Sequence, residues 1–250
     1  MNTNNNAYCH NCEQSCQGRF CPACGQRTSV HKVNFKETFQ DLADQLLSLS
    51  APLPQTLKML VINPGYLLRD YLYGKRRRYY RPISFFLLTT LFYLIIRGLV
   101  GSEGLGQIIG DPKDNPFVDS DFIYQTREFM IENINSLLFI FVAVLALAMK
   151  LFYHRYYSLA EYFAVSFYLI GFYMLLVTLN LFYIRYVNQN IQYLSTLVMN
   201  VYFVYAMVSF FGHRKWLTAI KAFIAYILAY VFYILLASIL SYNIIALKQL

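Results

Sequence analysis

Long apolar stretches separated by short polar breaks fill the chain after Arg81. Five of them reach the length of about 20 residues that an α-helix needs to cross a bilayer at a rise of about 1.5 Å per residue. These stretches are Pro82–Val100, Ile134–Tyr153, Ala160–Tyr186, Ile191–Phe211 and Trp216–Tyr242. Because lipid offers no partner to an unpaired backbone group, the pattern predicts an all-α integral membrane protein with about five transmembrane helices.

A helical periodicity also precedes the first of these stretches. One face of a predicted amphipathic helix carries Phe35, Phe39, Leu42, Leu46 and Leu49. We expect Pro52 and Pro54 to end that helix. A shorter apolar piece, Leu57–Ile62, stops at the turn signal Asn63-Pro64-Gly65, and Tyr66–Tyr73 follows as a second short helix. These amphipathic helices are expected to lie on the membrane face, and a partner-binding groove or gate is the alternative.

The composition indicates a membrane domain joined to a polar head. Hydrophobic residues make up 58% of the 250 residues and charged residues only 14%, whereas a soluble domain carries about a quarter charged residues. The first 81 residues contain all five cysteines and 11 of the 21 basic residues. The chain therefore divides into a cysteine module at 1–30, a juxtamembrane helical segment at 31–81 and a transmembrane domain at 82–250.

The distribution of basic residues predicts the orientation in the membrane, because Lys and Arg are retained on the cytoplasmic side. The segment before the first span is rich in both. The loop at 101–133 has only Lys113 and Arg127 against seven acidic residues. Loops rich in Lys and Arg alternate with loops poor in them along the later spans, as an odd number of membrane crossings requires. We expect a cytoplasmic N-terminus and a periplasmic C-terminus.

A basic run interleaved with aromatic residues abuts the first span. Its basic members are Lys75, Arg76, Arg77, Arg78 and Arg81. Each basic residue near an anionic membrane surface contributes about 1 kcal/mol of attraction, so the run is interpreted as a topology and lipid-headgroup anchor. Tyr79 and Tyr80 are assigned to the headgroup layer. A specific phosphate or headgroup site is the alternative, and nucleic acid is disfavoured because no second basic surface is present.

Two pairs of cysteines carry the strongest chemical signal. Cys9-x2-Cys12 and Cys21-x2-Cys24 are separated by eight residues, a pattern in which four thiolates form the closed tetrahedral site of structural zinc. One zinc ion per chain is predicted, with iron in a similar site as the alternative. Disulfides are disfavoured because five cysteines is an odd number and the predicted compartment is reducing. Cys16 is the spare cysteine.

The motifs GRFCPACGQ and NPGYLLRDYLYGKRRRYYRPISFFLL resemble an uncharacterised family of bacterial membrane proteins, seen mostly in Bacteroidota and described as a domain of unknown function. The resemblance implies a zinc ribbon attached to a multi-span domain of the bacterial inner membrane. It implies no reaction. The motif positions that carry it are Gly18, Phe20, Cys21, Cys24, Gly25, Gln26, Pro64, Gly65, Tyr71, Gly74, Lys75, Arg76, Tyr79 and Pro82.

Polar candidates inside the membrane domain are few. Glu161 is the only carboxylate within the later spans, and it lies near His154 and Arg155. An ionisable residue at this depth is a functional candidate, so these three form a speculative polar site. At a helix start, however, a carboxylate also stabilises the helix dipole. No cluster of acids, bases or ligands accompanies them, and no catalytic residue is predicted.

Three functions are consistent with the sequence. The first is a non-enzymatic multi-pass protein whose cytoplasmic ribbon binds a protein partner or senses a signal. The second is a transporter or lipid-handling protein that uses the helical bundle and the basic run. The third is a membrane enzyme acting on a lipid or phosphate ester through Glu161, His154 and the basic run. Membrane lipids with anionic headgroups are expected partners, and assembly into a homo-oligomer is left open.

Overall fold

The computed structural model describes residues 7–16, 18, 20–26, 28, 52–100, 125–126, 129–130, 133–186, 194–212 and 214–248. A two-residue antiparallel pair, β1 (Ala7–Tyr8) and β2 (Ser15–Cys16), lies in the cysteine module. The helices follow in this order: α1 (Pro52–Ile62), α2 (Pro64–Leu72), α3 (Pro82–Val100), α4 (Ile134–Phe152), α5 (Leu159–Tyr186), α6 (Leu194–Phe211) and α7 (Lys215–Lys248).

The predicted fold class, an all-α membrane protein with a cysteine module, is confirmed. Within the described residues, four helices are long and apolar enough to cross a membrane, namely α3, α5, α6 and α7. The remaining predicted span, Ile134–Tyr153, corresponds to α4, which has a shorter apolar stretch at Ser136–Phe152 and packs against α5 and α7 in the same bundle. The predicted amphipathic helix at 35–49 lies outside the described residues.

Two prolines begin the first described helix. Pro52 and Pro54 lie in the first turn of α1, and the helix that they are expected to end lies outside the described residues. The fixed φ of proline suits a first helical turn, where its missing N–H costs no hydrogen bond. Asn63 separates α1 from α2 and caps the latter, because its Oδ1 accepts a hydrogen bond from the Tyr66 N–H at 3.1 Å.

Close packing of α3 on α5 forms one side of the bundle. Gly171 of α5 faces α3, where a Cβ would lie 2.7 Å from the Phe85 ring. Phe85 and Phe86 are fully buried there, and the Phe85 and Tyr168 rings are 6.0 Å apart. Glycine at position 171 therefore lets the two helices approach more closely than a larger residue would allow.

The short helix α2 packs on the Phe211 end of α6. A Cβ at Gly65 would overlap the backbone of Ser209 and Phe210, so α2 rests directly on the backbone of α6. The Arg69 guanidinium donates hydrogen bonds to the carbonyl oxygens of Ser209 and Phe210. These are orphan carbonyls at a helix C-terminus, where a cation is also favoured by the helix dipole.

Candidate metal centre and its contact with the basic turn

The four cysteines predicted as ligands converge on one point. Their sulfur atoms all lie within 4.8 Å of one another. The Cys9 and Cys24 Sγ atoms are 3.5 Å apart, and so are those of Cys12 and Cys21. A tetrahedral zinc site with Zn–S bonds of about 2.3 Å requires S–S separations of about 3.8 Å. The arrangement fits a single tetrahedral ion and is far too open for disulfide bonds.

Each knuckle is closed by a residue in the left-handed region. Gly25 has φ +68° and its N–H donates to the Cys21 carbonyl at 2.7 Å, while Glu13 has φ 63° and its N–H donates to the Cys9 carbonyl at 2.8 Å. Glycine adopts this conformation without a steric penalty, whereas a residue with a Cβ pays about 1–2 kcal/mol. The first knuckle is therefore the more strained of the two.

The thiols differ in their readiness to ionise. The backbone N–H of Cys24 is the main cause that lowers the pKa of Cys21 to about 6. Burial acts to raise the pKa of Cys9, but hydrogen bonds from the N–H groups of Cys12 and Asn11 outweigh it and the pKa is lowered. A hydrogen bond from the Gln14 N–H acts to lower the pKa of Cys12. Burial and contacts with Cys21 outweigh it and raise this pKa to about 12. Four thiolates therefore require a cation that displaces the remaining protons.

Cys16 lies beside the four-sulfur group without belonging to it. Its side chain is buried, and its Sγ donates to the Gln14 carbonyl at 3.4 Å. Burial is the main cause that raises the pKa of this thiol to about 11. Its sulfur is not among the four that lie within 4.8 Å of one another, which supports the prediction that Cys16 is the spare cysteine.

The second knuckle contacts the basic run directly. The buried side chain of Gln26 donates to the Gly74 carbonyl at 2.7 Å and accepts from the Arg77 N–H at 3.3 Å. The Arg77 guanidinium donates to the Gly25 carbonyl at 3.0 Å. We call Gly74–Arg81 the basic turn and these three hydrogen bonds the ribbon contact. Through it the cysteine module is attached to the segment between α2 and α3.

An acidic residue organises the rest of the basic turn. Asp70 is buried and lies 3.5 Å from the Lys75 Nζ and 3.8 Å from the Arg78 guanidinium. The Tyr79 hydroxyl donates to the same carboxylate at 3.3 Å, and burial followed by the Asp70 charge raises the pKa of Tyr79 to about 12. The phenol therefore stays protonated as a donor. Arg76 lies over the Tyr71 ring, 6.0 Å from its centroid.

The structure corrects the assignment of Tyr79 and Tyr80 to the headgroup layer. Both side chains are buried in the protein core. The backbone of Tyr80 is held from two sides, because its N–H donates to the Thr56 hydroxyl at 2.8 Å and its carbonyl accepts from the Tyr168 hydroxyl. These tyrosines fix the basic turn against α1 and α5.

The acidic residue of the speculative polar site, Glu161, caps the start of a helix. Glu161 is buried, and its Oε2 accepts the Ser158 N–H at 2.7 Å, while the Ser158 Oγ accepts the Glu161 N–H at 3.3 Å. This reciprocal pair is a capping box at the start of α5. His154 and Arg155 are exposed in the preceding turn. A catalytic or proton-coupling role for these residues stays a prediction.

The sequence assigned no role to three residues that are important for this arrangement: Gln26, which was named only as a motif position, Arg69 and Asp70. A signal was available for Asp70, because it is the only acidic residue between positions 52 and 102 and it lies beside five basic residues. An isolated acid in an apolar segment predicts a paired charge. The partners of Gln26 and Arg69 lie 48 and 140 residues away, and no local pattern indicates them.

Fold and site together define the class: a helical membrane protein with a cluster of four cysteines suited to a metal ion. Residues 52–94 match the profile of a family described as protein of unknown function (DUF3667). The matched segment contains α1, α2, the basic turn and most of α3, and is consistent with the uncharacterised family that the motifs resemble. No curated protein and no protein of known structure matches the chain.

Proposed function

We propose that this chain is a non-enzymatic protein of the bacterial inner membrane whose cytoplasmic zinc ribbon mediates protein interaction or sensing. The ribbon contact is the observation that carries the proposal. Gln26 and Arg77 tie the second knuckle to the basic turn, and the basic turn is tied to the bundle through Asp70 and Tyr80. The ribbon is thus connected to α1 and α2 through hydrogen bonds that pass by way of the basic turn.

The chemistry of the cluster supports a binding role. Four thiolates around one ion leave no open coordination position, so the metal holds the fold of the ribbon and does not activate a substrate. Zinc is the metal proposed, because a tetrahedral four-sulfur site without a further ligand suits it, and iron is the alternative.

Two aromatic residues of the ribbon are exposed to a partner. Tyr8 is 69% exposed and Phe20 is 56% exposed. Aromatic side chains are enriched among residues that anchor protein interfaces. We assign partner binding to Tyr8 and Phe20, because Gly25 and Gln26 are engaged with the basic turn.

The basic turn is assigned a second role in contacting anionic lipid headgroups. Arg77 and Arg78 are both exposed although each also makes a contact within the protein. A guanidinium can keep one such contact and still offer donors to a phosphate, because it has five N–H groups. This contact supports the lipid-handling alternative as well, which the test below separates from partner binding.

The experiment is site-specific photo-crosslinking in intact cells, with a photoreactive residue at Tyr8, Phe20 or, as a control, Tyr73. Tyr73 is as exposed as Tyr8 but lies at the end of α2. We expect a discrete protein adduct from positions 8 and 20 that is lost in Cys21→Ser and retained in Cys16→Ser. The captured protein, purified separately, should bind the wild type and fail to bind Cys21→Ser. Adducts that are the same at Tyr73, or unaffected by Cys21→Ser, would contradict the proposal.

A further inference from the structure

We infer that the elbow between α1 and α2, residues Leu60–Gly65, is inserted into the membrane beside α6, where its exposed side chains contact lipid acyl chains. This goes beyond the proposed role of the ribbon and does not depend on it. It also differs from the expectation that the short helices rest on the membrane face.

Contacts with α6 place the elbow along a candidate membrane span. The Tyr202 hydroxyl donates to the Leu60 carbonyl at 2.8 Å, and the Tyr205 hydroxyl donates to the Ile62 carbonyl at 2.6 Å. Tyr202 is nine residues from the end of α6 at Phe211, which corresponds to about 13 Å along the helix axis. Because helical side chains lean toward the helix N-terminus, the Tyr202 hydroxyl lies farther still from Phe211.

Two backbone carbonyls at the end of α1, those of Leu60 and Ile62, have hydrogen-bond partners within the protein. The last carbonyls of a helix have no intrahelical partner, and in hydrocarbon each unpaired group costs several kcal/mol. Here two tyrosine hydroxyls of α6 supply donors to the end of α1. The Asn63 side chain, which caps α2, also accepts from the Ser209 hydroxyl at 2.8 Å. In water, these carbonyls and the Asn63 side chain could form hydrogen bonds with solvent and would not need donors from α6. In lipid no solvent is available, so they need partners within the protein, as they have here.

The side chains of the elbow that point away from the protein are apolar. Val61 is 61% exposed and Ile62 is 59% exposed. They continue the apolar surface of α6, on which Val201 is 71% exposed. Lys58 lies on the exposed side of α1, one turn before Ile62. Its long side chain can reach back to the headgroups while its stem stays in the apolar layer. A continuous apolar surface with one basic residue at its border fits a lipid bilayer.

The test uses tryptophan fluorescence of the full-length protein in vesicles of phosphatidylcholine and phosphatidylglycerol. The chain has one tryptophan, Trp216, so Trp216→Phe provides a silent background. Val61→Trp is the probe of the elbow, and Val201→Trp is the reference for a lipid-facing position at similar depth. Tyr73→Trp, which is 69% exposed at the other end of α2, is the control outside the acyl layer.

We expect Val61→Trp to be quenched by lipids brominated on their acyl chains as strongly as Val201→Trp, and to be protected from aqueous iodide. Tyr73→Trp should show the reverse. Quenching of Val61→Trp by iodide to the extent seen for Tyr73→Trp would overturn the inference. Protection from both quenchers would also overturn it, because a protein partner or a second copy would then cover the elbow. Ile62→Trp repeats the measurement if Val61→Trp does not fold.

Discussion

Replacing Gln26 with alanine removes two hydrogen bonds of the ribbon contact at once. Gln26 is 7% exposed, and its side chain donates to the Gly74 carbonyl and accepts from the Arg77 N–H. Leaving one such buried group without a partner costs about 1–3 kcal/mol. Since each 1.4 kcal/mol is a factor of about ten in an equilibrium constant, the open form of the contact should become about 10- to 100-fold more populated.

Hydrogen exchange with mass spectrometry provides the measurement, because the Arg77 amide is itself one of the bonded groups. In Gln26→Ala we expect exchange across the basic turn to accelerate by about 10- to 100-fold. Metal content should stay at the wild-type value because the four cysteines are unchanged. Gln26→Glu separates the two bonds, since a carboxylate can still accept from the Arg77 N–H but cannot donate to Gly74.

Gln14→Ala is the matched control, being the same substitution at an exposed position of the same module. It should leave exchange at the basic turn unchanged. The contradicting outcome is a Gln26→Ala variant with normal metal content in which the amides of the basic turn exchange at the wild-type rate. The ribbon contact would then not hold the basic turn, and the connection proposed for signalling would fail.

Four further outcomes are expected. Elemental analysis should find one zinc per chain in the wild type and in Cys16→Ser and none in Cys21→Ser; equal loss in both variants would refute the choice of ligands. Metal affinity, followed by dye competition, should fall as the pH drops and should fall more steeply below about 6, because protons compete for Cys12, whose pKa is raised, already at neutral pH, and below about 6 also for the Cys21 thiolate, whose pKa is lowered to about 6; an affinity that does not change with pH would contradict it. Gly65→Ala should lower the free energy of unfolding in detergent by about 1–3 kcal/mol through overlap with α6, whereas Gly98→Ala, with open space around its Cβ, should not; equal melting temperatures would argue against the tight packing of α2 on α6. Changing Arg76, Arg77, Arg78 and Arg81 together to Lys should preserve insertion and orientation in a topology assay while weakening the ribbon contact, because Lys cannot reproduce the guanidinium geometry; the corresponding Gln variant should weaken orientation as well, and normal orientation in that variant would refute the anchor role.

The sequence by itself determined the helical membrane fold and the cluster of four cysteines, because both are encoded locally. The length of an apolar stretch is enough to predict Pro82–Val100, and the structure has a helix with these bounds. The spacing of Cys9, Cys12, Cys21 and Cys24 is enough to predict that their sulfurs converge, as they do. Neither property depends on which distant segments of the chain meet.

The tertiary structure alone decided what the basic turn and its tyrosines do. A tyrosine beside a membrane span suits the headgroup layer and the protein core equally well. Tyr79 lies in the core, where the Asp70 carboxylate accepts a hydrogen bond from its hydroxyl. Gln26 meets Gly74 across 48 residues of sequence, and Arg69 meets Phe210 across 141. Hydrogen-bond partners at such separations depend on how the helices pack, which local sequence patterns do not encode. The ribbon contact and the embedded elbow are therefore properties of the packed bundle.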